Sequence, residues 1–226
     1  GVDISKEDLL QNYDAVLLAV GAENPRDLPI EGRELDGVHF AMDFLTQQNK
    51  TVAGKTVTEN ERISAKGKNV LVIGGGDTGS DCVGTSNRQQ AKSVTQIEIL
   101  PKPPEKRTDN DPWPYWPNVL RTSSSHEEGC ERRWSLSTKR FIGENGKVKQ
   151  AEIVKLEWEK DENGRWIFKE FPETREIIDV DLALLSMGFT QPVHVGLLEQ
   201  LGVEYDERGN VKVNEKKQTS VEGIFS

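Results

Sequence analysis

The sequence has few cysteines and no excess of positive charge. Cys82 and Cys130 are the only two cysteines in 226 residues, so the chain carries neither a disulfide framework nor a cysteine-rich metal motif. Its net charge of −9 leaves no basic excess to neutralise phosphates, which argues against nucleic acid as a partner. Scarce cysteine is typical of a reducing compartment, so we expect a cytoplasmic protein.

Long hydrophobic runs are also missing. No apolar stretch approaches the roughly 20 residues that span a bilayer, and no signal-peptide core opens the sequence. We therefore expect no membrane partner. The length is sufficient to bury a real core, in one large domain or two small ones.

A predicted strand runs directly into a glycine-rich turn. Residues 70–73 (VLVI) are apolar and mostly β-branched, which predicts a strand buried on both faces. A helix over 80–90 and a second strand over 94–100 are expected to complete a βαβ unit. The six residues after the first strand have the spacing GxGxxG that is typical of a dinucleotide site: Gly74, Gly75, Gly76, Asp77, Thr78 and Gly79.

Each glycine of such a turn has its own physical role. Gly74 permits the tight turn, Gly76 lets the backbone approach a pyrophosphate, and Gly79 lets the helix pack closely on the strand. The first amides of the helix lack intrahelical partners and lie at the positive end of its dipole, so they suit a phosphate. Because an acid would repel that phosphate, we expect Asp77 to accept first-turn amides as a helix cap.

Further elements are expected on both sides of this unit. Asn-Gly at 145–146 and 163–164 predicts hairpin turns, and the proline- and tryptophan-rich stretch 101–133 predicts a long loop. The predicted fold class is α/β, a Rossmann-like βαβ nucleotide-binding domain with an antiparallel β-meander. Strands are predicted over 13–20, 137–142, 148–158, 166–171 and 182–187, and helices over 40–48 and 196–201.

Several segments resemble one known family, the small (beta) subunit or domain of glutamate synthase. The family consists of FAD- and NAD(P)H-dependent flavoprotein reductases of the two-dinucleotide-domain type. The resemblance covers essentially the whole chain and is carried by GGGDTGSDCVGTS (74–86), EILPKPPEKR (98–107), DPWPYWP (111–117), HEEG (126–129), TKRFIGENGKVK (138–149) and LLSMGF (184–189). It implies that electrons pass from the nicotinamide to FAD, then through iron–sulfur clusters to FMN in a large (alpha) subunit, where glutamate is made from 2-oxoglutarate and glutamine-derived ammonia.

The resemblance also implies three parts of the chain. Residues 1–65 are expected to be the end of a first FAD-domain segment plus a connector, 66–189 the NAD(P)H-binding domain, and 190–226 the start of a returning FAD segment. Gly21 and Gly188 resemble the family's paired strand ends, where its chain crosses between domains. The family's FAD fingerprint and iron–sulfur segment are not in this sequence, so the chain alone is expected to be inactive.

The end of the second strand is expected to choose between NADH and NADPH. Glu98 lies about 20 positions after the glycine turn, where a carboxylate accepts the ribose 2′-OH of NADH and repels a 2′-phosphate. Lys102, Lys106 and Arg107 could instead fold back and bind that phosphate. We expect NADH to be favoured.

Two other functions remain open. A stand-alone dehydrogenase of a small carbonyl substrate would need a proton donor near the nicotinamide, for which His126 is the attractive candidate. His126 lies in a predicted loop without the second histidine of HExxH, so no catalytic residue and no metal ligand is assigned. A non-catalytic nucleotide-binding or docking module would need neither. Strand edges at 13–20 and 224–225 are expected to favour self-association.

Overall fold

A parallel sheet is the centre of the computed structural model, which describes residues 3–58, 62–109, 111–115 and 118–226. Within these ranges no helix is long and apolar enough to cross a membrane. The elements in chain order are α1 (Lys6–Asn12), β1 (Val16–Leu17), β2 (Val38–Phe40), α2 (Ala41–Val52), β3 (Asn69–Ile73), α3 (Asp77–Arg88), β4 (Ser93–Glu98), α4 (Ser124–Glu127), β5 (Glu131–Trp134), β6 (Leu136–Glu144), β7 (Lys147–Lys160), β8 (Trp166–Asp179), β9 (Leu182–Leu185), α5 (Leu197–Leu201) and β10 (Ile224–Phe225).

The parallel sheet has the strand order β2-β9-β3-β4-β5 and is covered on both faces. Successive side chains of a strand point to opposite faces, so the four buried apolar residues of β3 divide between two cores. Val70 and Val72 pack with α2 and α3, whereas Leu71 and Ile73 pack with the strands of the meander. The expected strand buried on both faces is confirmed.

The meander is the antiparallel sheet β6-β7-β8. The predicted Asn-Gly turn between β6 and β7 is confirmed, because Asn145 and Gly146 both have positive φ, at 53° and 77°. Val148, Ala151 and Ile153 of β7 are buried in the core that this sheet shares with the parallel sheet. The predicted combination of a βαβ unit and an antiparallel meander is therefore present.

The chain divides into a larger unit, 27–187, and a smaller unit formed by 1–26 and 188–226. This division differs from the expected boundary at residue 65. Residues 27–65 belong with the larger unit because β2 pairs with β9, and because Phe44 of α2 is fully buried in the same core as Val83 of α3. The smaller unit has its own core around Leu18, Leu198 and Ile224.

Two strand predictions differ from the structure. The predicted buried strand over 13–20 is wrong: β1 has two residues, the only ladder it forms with the described residues is to β10, and Leu17 is 71% exposed. Conversely, β5 was expected to lie in a long loop. Its sequence is Glu-Arg-Arg-Trp, which has no apolar pattern typical of a strand. This charged segment forms an edge strand because it pairs with β4.

Candidate nucleotide-binding site

The glycine turn lies where β3 and its neighbours β4 and β9 reach their carboxyl ends. The Gly74 amide donates to the Ile97 carbonyl of β4 at 2.9 Å, and the Ser186 hydroxyl after β9 donates to the Ile73 carbonyl at 2.9 Å. From β3 the chain continues to β4 on one side and returns later to β9 on the other. This is a topological switch point, where open α/β sheets bind their ligands.

The three motif glycines differ in what surrounds them. Gly74 has φ +123°, and a Cβ there would overlap the Ser186 carbonyl oxygen. A Cβ on Gly79 would lie 2.5 Å from the Gly74 carbonyl oxygen. A Cβ on Gly76 would meet no atom within 4 Å. Gly74 and Gly79 are therefore required by the fold itself, whereas Gly76 faces open space.

Helix α3 begins at this turn without a side-chain cap. Its N-cap residue is Gly76, and no side chain accepts a capping hydrogen bond there. The expectation that Asp77 caps the helix is wrong, because Asp77 is already the first helical residue, one position past the place from which a side chain accepts the N2 or N3 amide. The first-turn amides are left available to an anion.

The structure brings Glu98 to the glycine turn. A Cβ on Gly75 would overlap the Glu98 carboxylate, and Oε1 of Glu98 accepts the Leu100 amide at 3.4 Å. Glu98 is also the register partner of Trp134 on β5. The carboxylate thus lies directly beside the turn.

The three predicted phosphate-binding cations have different surroundings. The Lys102 ammonium lies 5.6 Å from the ring centroid of Trp134. Arg107 instead donates to the carbonyls of Asp111 and Tyr115, at 2.9 and 3.0 Å, and so holds its own loop together. Lys106 is exposed. Of these three cations, Lys102 is therefore the one that lies at the end of the sheet where Glu98 and Trp134 pair.

Sequence reasoning missed a buried polar group behind the turn. Gln96 on β4 is 2% exposed, and its Nε2 donates to the Gly74 carbonyl at 2.8 Å. Its Oε1 lies 2.9 Å from Nε2 of His126, whose Nδ1 accepts the Ser123 amide at 3.2 Å. The sequence offers little signal for this role, because Gln96 is one of several polar residues in β4, whose sequence is SVTQIE.

The remaining predicted residues belong to the smaller unit or have, among the described residues, no contact that assigns them a role. Segments 24–26 and 188–191 of the smaller unit pair with each other, and the Arg26 amide donates to the Gly188 carbonyl at 2.9 Å. Gly21 and Gly188 both have positive φ. Burial raises the pKa of Cys82 to about 12, so this helix thiol is a protonated core residue. Trp113 is 83% exposed, and Trp116 is outside the described residues.

Together, the buried βαβ unit, the GxGxxG turn at the switch point and the covering meander define a dinucleotide-binding fold. The chain belongs to the pyridine nucleotide-disulphide oxidoreductase family, whose model matches residues 3–226. Among curated relatives it is 46% identical over 231 residues to the glutamate synthase [NADPH] small chain of Mycobacterium tuberculosis, covering 100% of this chain and 46% of that protein. It is 44% identical to the glutamate synthase [NADH] of Schizosaccharomyces pombe, covering 99% of this chain and 11% of that protein. The chain thus spans about half of the first relative, as the sequence resemblance implied.

Solved structures agree on the fold. Mycobacterium tuberculosis FprA in complex with NADPH superposes with a TM-score of 0.67 at 17% identity, covering 98% of this chain and 59% of that one. The thioredoxin reductase of T. acidophilum gives a TM-score of 0.52 at 19% identity, covering 93% of this chain and 55% of that one. At these identities the likeness concerns the fold alone.

Proposed function

We propose that this chain is the NAD(P)H-binding part of a glutamate synthase small subunit. The observation that carries the proposal is the glycine turn: Gly76 faces open space beside an uncapped helix N-terminus at the end of the central strand. A pyrophosphate fits this position because free backbone amides and a helix dipole both favour an anion. The 46% identity to a glutamate synthase small chain supports the choice of parent enzyme.

The proposed reaction is hydride delivery from the nicotinamide to FAD. The cofactors supply the redox chemistry, and the protein contributes binding, orientation and exclusion of side reactions. Holding the nicotinamide against the flavin makes the transfer effectively intramolecular. FAD, the iron–sulfur clusters and the large subunit that makes glutamate belong to the longer parent in this proposal.

The smaller unit is proposed to be part of the parent's FAD domain. Its two segments, 1–26 and 188–226, form one core although they are far apart in sequence. The paired stretches 24–26 and 188–191 then correspond to the two crossings between domains. Gly21 and Gly188 are proposed to serve these crossings and the neighbouring cofactors.

The dehydrogenase alternative is less well supported. It requires His126 to be free as a proton donor, yet both ring nitrogens of His126 are occupied by Ser123 and Gln96. Hydride transfer to a flavin requires no such donor.

Calorimetric titration and a comparison of acceptors test the proposal. We expect the 226-residue chain to bind NADH more tightly than NADPH but to reduce no ferricyanide. We expect the longer parent, with its FAD segments, to oxidise NADH with ferricyanide as acceptor. Oxidation of NADH by the short chain with a small carbonyl substrate and no flavin would instead favour the dehydrogenase.

The open edge of β1 in the smaller unit leads us to predict that the chain self-associates. In the part of the chain that the structure describes, strand β1 pairs only with β10. The side chains of Leu17 in β1 and of Tyr13 before it are 71% and 63% exposed. Such an open apolar edge is a template for a second copy. We expect concentration-dependent dimers in multi-angle light scattering of the 226-residue chain. A monodisperse monomer across the concentration range would contradict this prediction.

A further inference from the structure

A series of hydrogen bonds connects residues 123–126, which lie in the predicted long loop 101–133, to the glycine turn. It runs from the Ser123 amide to Nδ1 of His126, from Nε2 of His126 to Oε1 of Gln96, and from Nε2 of Gln96 to the Gly74 carbonyl, at 3.2, 2.9 and 2.8 Å. The three donor–acceptor distances are those of ordinary hydrogen bonds. We call this chain of contacts the relay.

The direction of every bond in the relay is set by one backbone group. A backbone N–H can only donate, so the Ser123 amide makes Nδ1 of His126 an acceptor. The neutral ring then carries its proton on Nε2 and donates to Gln96, which leaves the amide nitrogen of Gln96 for Gly74. Burial, and then the charge of Arg132, lower the pKa of His126, which keeps the ring neutral at pH 7.

Two glycines of α3 leave room for the relay. A Cβ on Gly79 would lie 2.8 Å from Nε2 of Gln96, so the third glycine of the motif makes space for this amide. A Cβ on Gly84 would lie 2.6 Å from the Ser125 hydroxyl oxygen, so a small residue in α3 also lets α4 approach. The Asn87 side chain donates to the Gly129 carbonyl at 2.7 Å and anchors the end of that segment.

The relay acts on the peptide that joins Gly74 to Gly75. In a trans peptide the C=O and the N–H point in opposite directions, so holding the Gly74 carbonyl inward on Gln96 turns the Gly75 amide outward. A Gly-Gly peptide flips at little cost because neither residue has a Cβ. The flipped peptide would present a carbonyl oxygen to the position proposed for the pyrophosphate and repel it.

We propose that His126 is a positioning residue for the coenzyme: through Gln96 it holds the Gly74–Gly75 peptide in the orientation that presents an amide to the pyrophosphate. This inference rests on the proposed function, because it assumes a dinucleotide at the turn. It gives the predicted loop 101–133 a role in coenzyme binding, because Ser123 and His126 both belong to that segment. His126 itself touches neither coenzyme nor substrate.

Three variants of the 226-residue chain test the inference by calorimetry with NADH and ADP-ribose, alongside thermal unfolding. His126→Leu removes the donor to Gln96, and we expect about ten-fold weaker binding of both ligands, the effect of roughly one hydrogen bond to a charged group. His126→Gln keeps an N–H donor of similar reach and is expected to restore affinity to within about three-fold of the unsubstituted chain. Glu127→Gln, an exposed change on the same helix, is the matched control and should bind as the unsubstituted chain does.

A glycine-selective ¹⁵N spectrum adds a readout that does not depend on a ligand. In the His126→Leu chain we expect the Gly75 amide resonance to shift or broaden as the peptide samples both orientations, and to return to its place in His126→Gln. Unchanged affinity and an unchanged Gly75 resonance in His126→Leu would overturn the inference. Equal losses in the Leu and Gln variants, in step with unfolding temperature, would overturn it in favour of a purely structural role.

The same titration separates the inference from the proposed function. If the unsubstituted chain binds NADH and His126→Leu binds it equally well, only the positioning role fails. If the unsubstituted chain binds neither NADH nor NADPH, the proposed function fails, and the positioning role fails with it.

Discussion

Replacing Gly76 with valine is expected to abolish nucleotide binding while leaving the chain folded. The backbone of Gly76 has φ −79°, which any residue adopts, and a Cβ there would meet no atom within 4 Å. We therefore expect the free energy of unfolding to change by no more than about 1 kcal/mol, the usual range for an N-cap substitution. The branched side chain would occupy the space through which the pyrophosphate approaches, and calorimetry should show at least a roughly 100-fold loss of NADH affinity, about 2.7 kcal/mol.

The other motif glycines supply the contrast. Valine at Gly79 would place its Cβ 2.5 Å from the Gly74 carbonyl oxygen inside the packed turn, and valine at Gly74 would also need φ +123°. Both changes are expected to destabilise the fold by several kcal/mol, through overpacking and backbone strain. Gly76→Ala should fall between glycine and valine in NADH affinity. A folded Gly76→Val chain that binds NADH normally would remove the pyrophosphate from this turn.

Replacing Glu98 with glutamine is expected to reverse the coenzyme preference. The carboxylate lies beside Gly75, where it would accept the ribose hydroxyls of NADH and repel the 2′-phosphate of NADPH. Losing a hydrogen bond to a charged group weakens NADH binding by about 1.5–3 kcal/mol. Removing a like-charge contact near 4 Å strengthens NADPH binding by about 1–4 kcal/mol. The ratio of the two affinities should therefore shift toward NADPH by at least roughly 100-fold, which corresponds to about 2.7 kcal/mol.

Glu105→Gln is the matched control, because it removes the same charge from an exposed position in the following loop. Its affinity ratio should stay that of the unsubstituted chain. Lys102→Ala tests the opposing hypothesis, since Lys102 lies over Trp134 at the same end of the sheet. If the unsubstituted chain prefers NADPH and Lys102→Ala loses that preference while Glu98→Gln does not change it, Lys102 rather than Glu98 chooses the coenzyme.

The elements that were correctly predicted owe their conformation to neighbouring residues in the sequence. The β-branched run of β3 has no stable alternative to a buried strand, and the Asn145-Gly146 pair accepts the positive φ that a tight hairpin needs. Local sterics and side-chain apolarity act over a few residues, so such features can be predicted from the sequence.

The features that were missed depend on partners distant in the chain. The charged strand β5 exists because β4 offers it a ladder, and the predicted strand at 13–20 shrinks to two residues because β10 pairs with no more of it. These outcomes follow from register and strand order, which no local pattern specifies.

By itself, the sequence determined the glycine-turned βαβ unit and its antiparallel meander, because both follow from short-range backbone sterics or from motifs of fixed spacing. The family was indicated separately, by the resemblance of several segments to known proteins. Only the tertiary structure decided that residues 27–65 join the larger unit, that Glu98 lies on Gly75, and that Gln96 and His126 hold the turn from behind. The glutamine and the histidine are 30 residues apart. Buried polar groups need hydrogen-bond partners, because they lose those that water provides. The glutamine and the histidine become partners only when packing brings their two distant elements together.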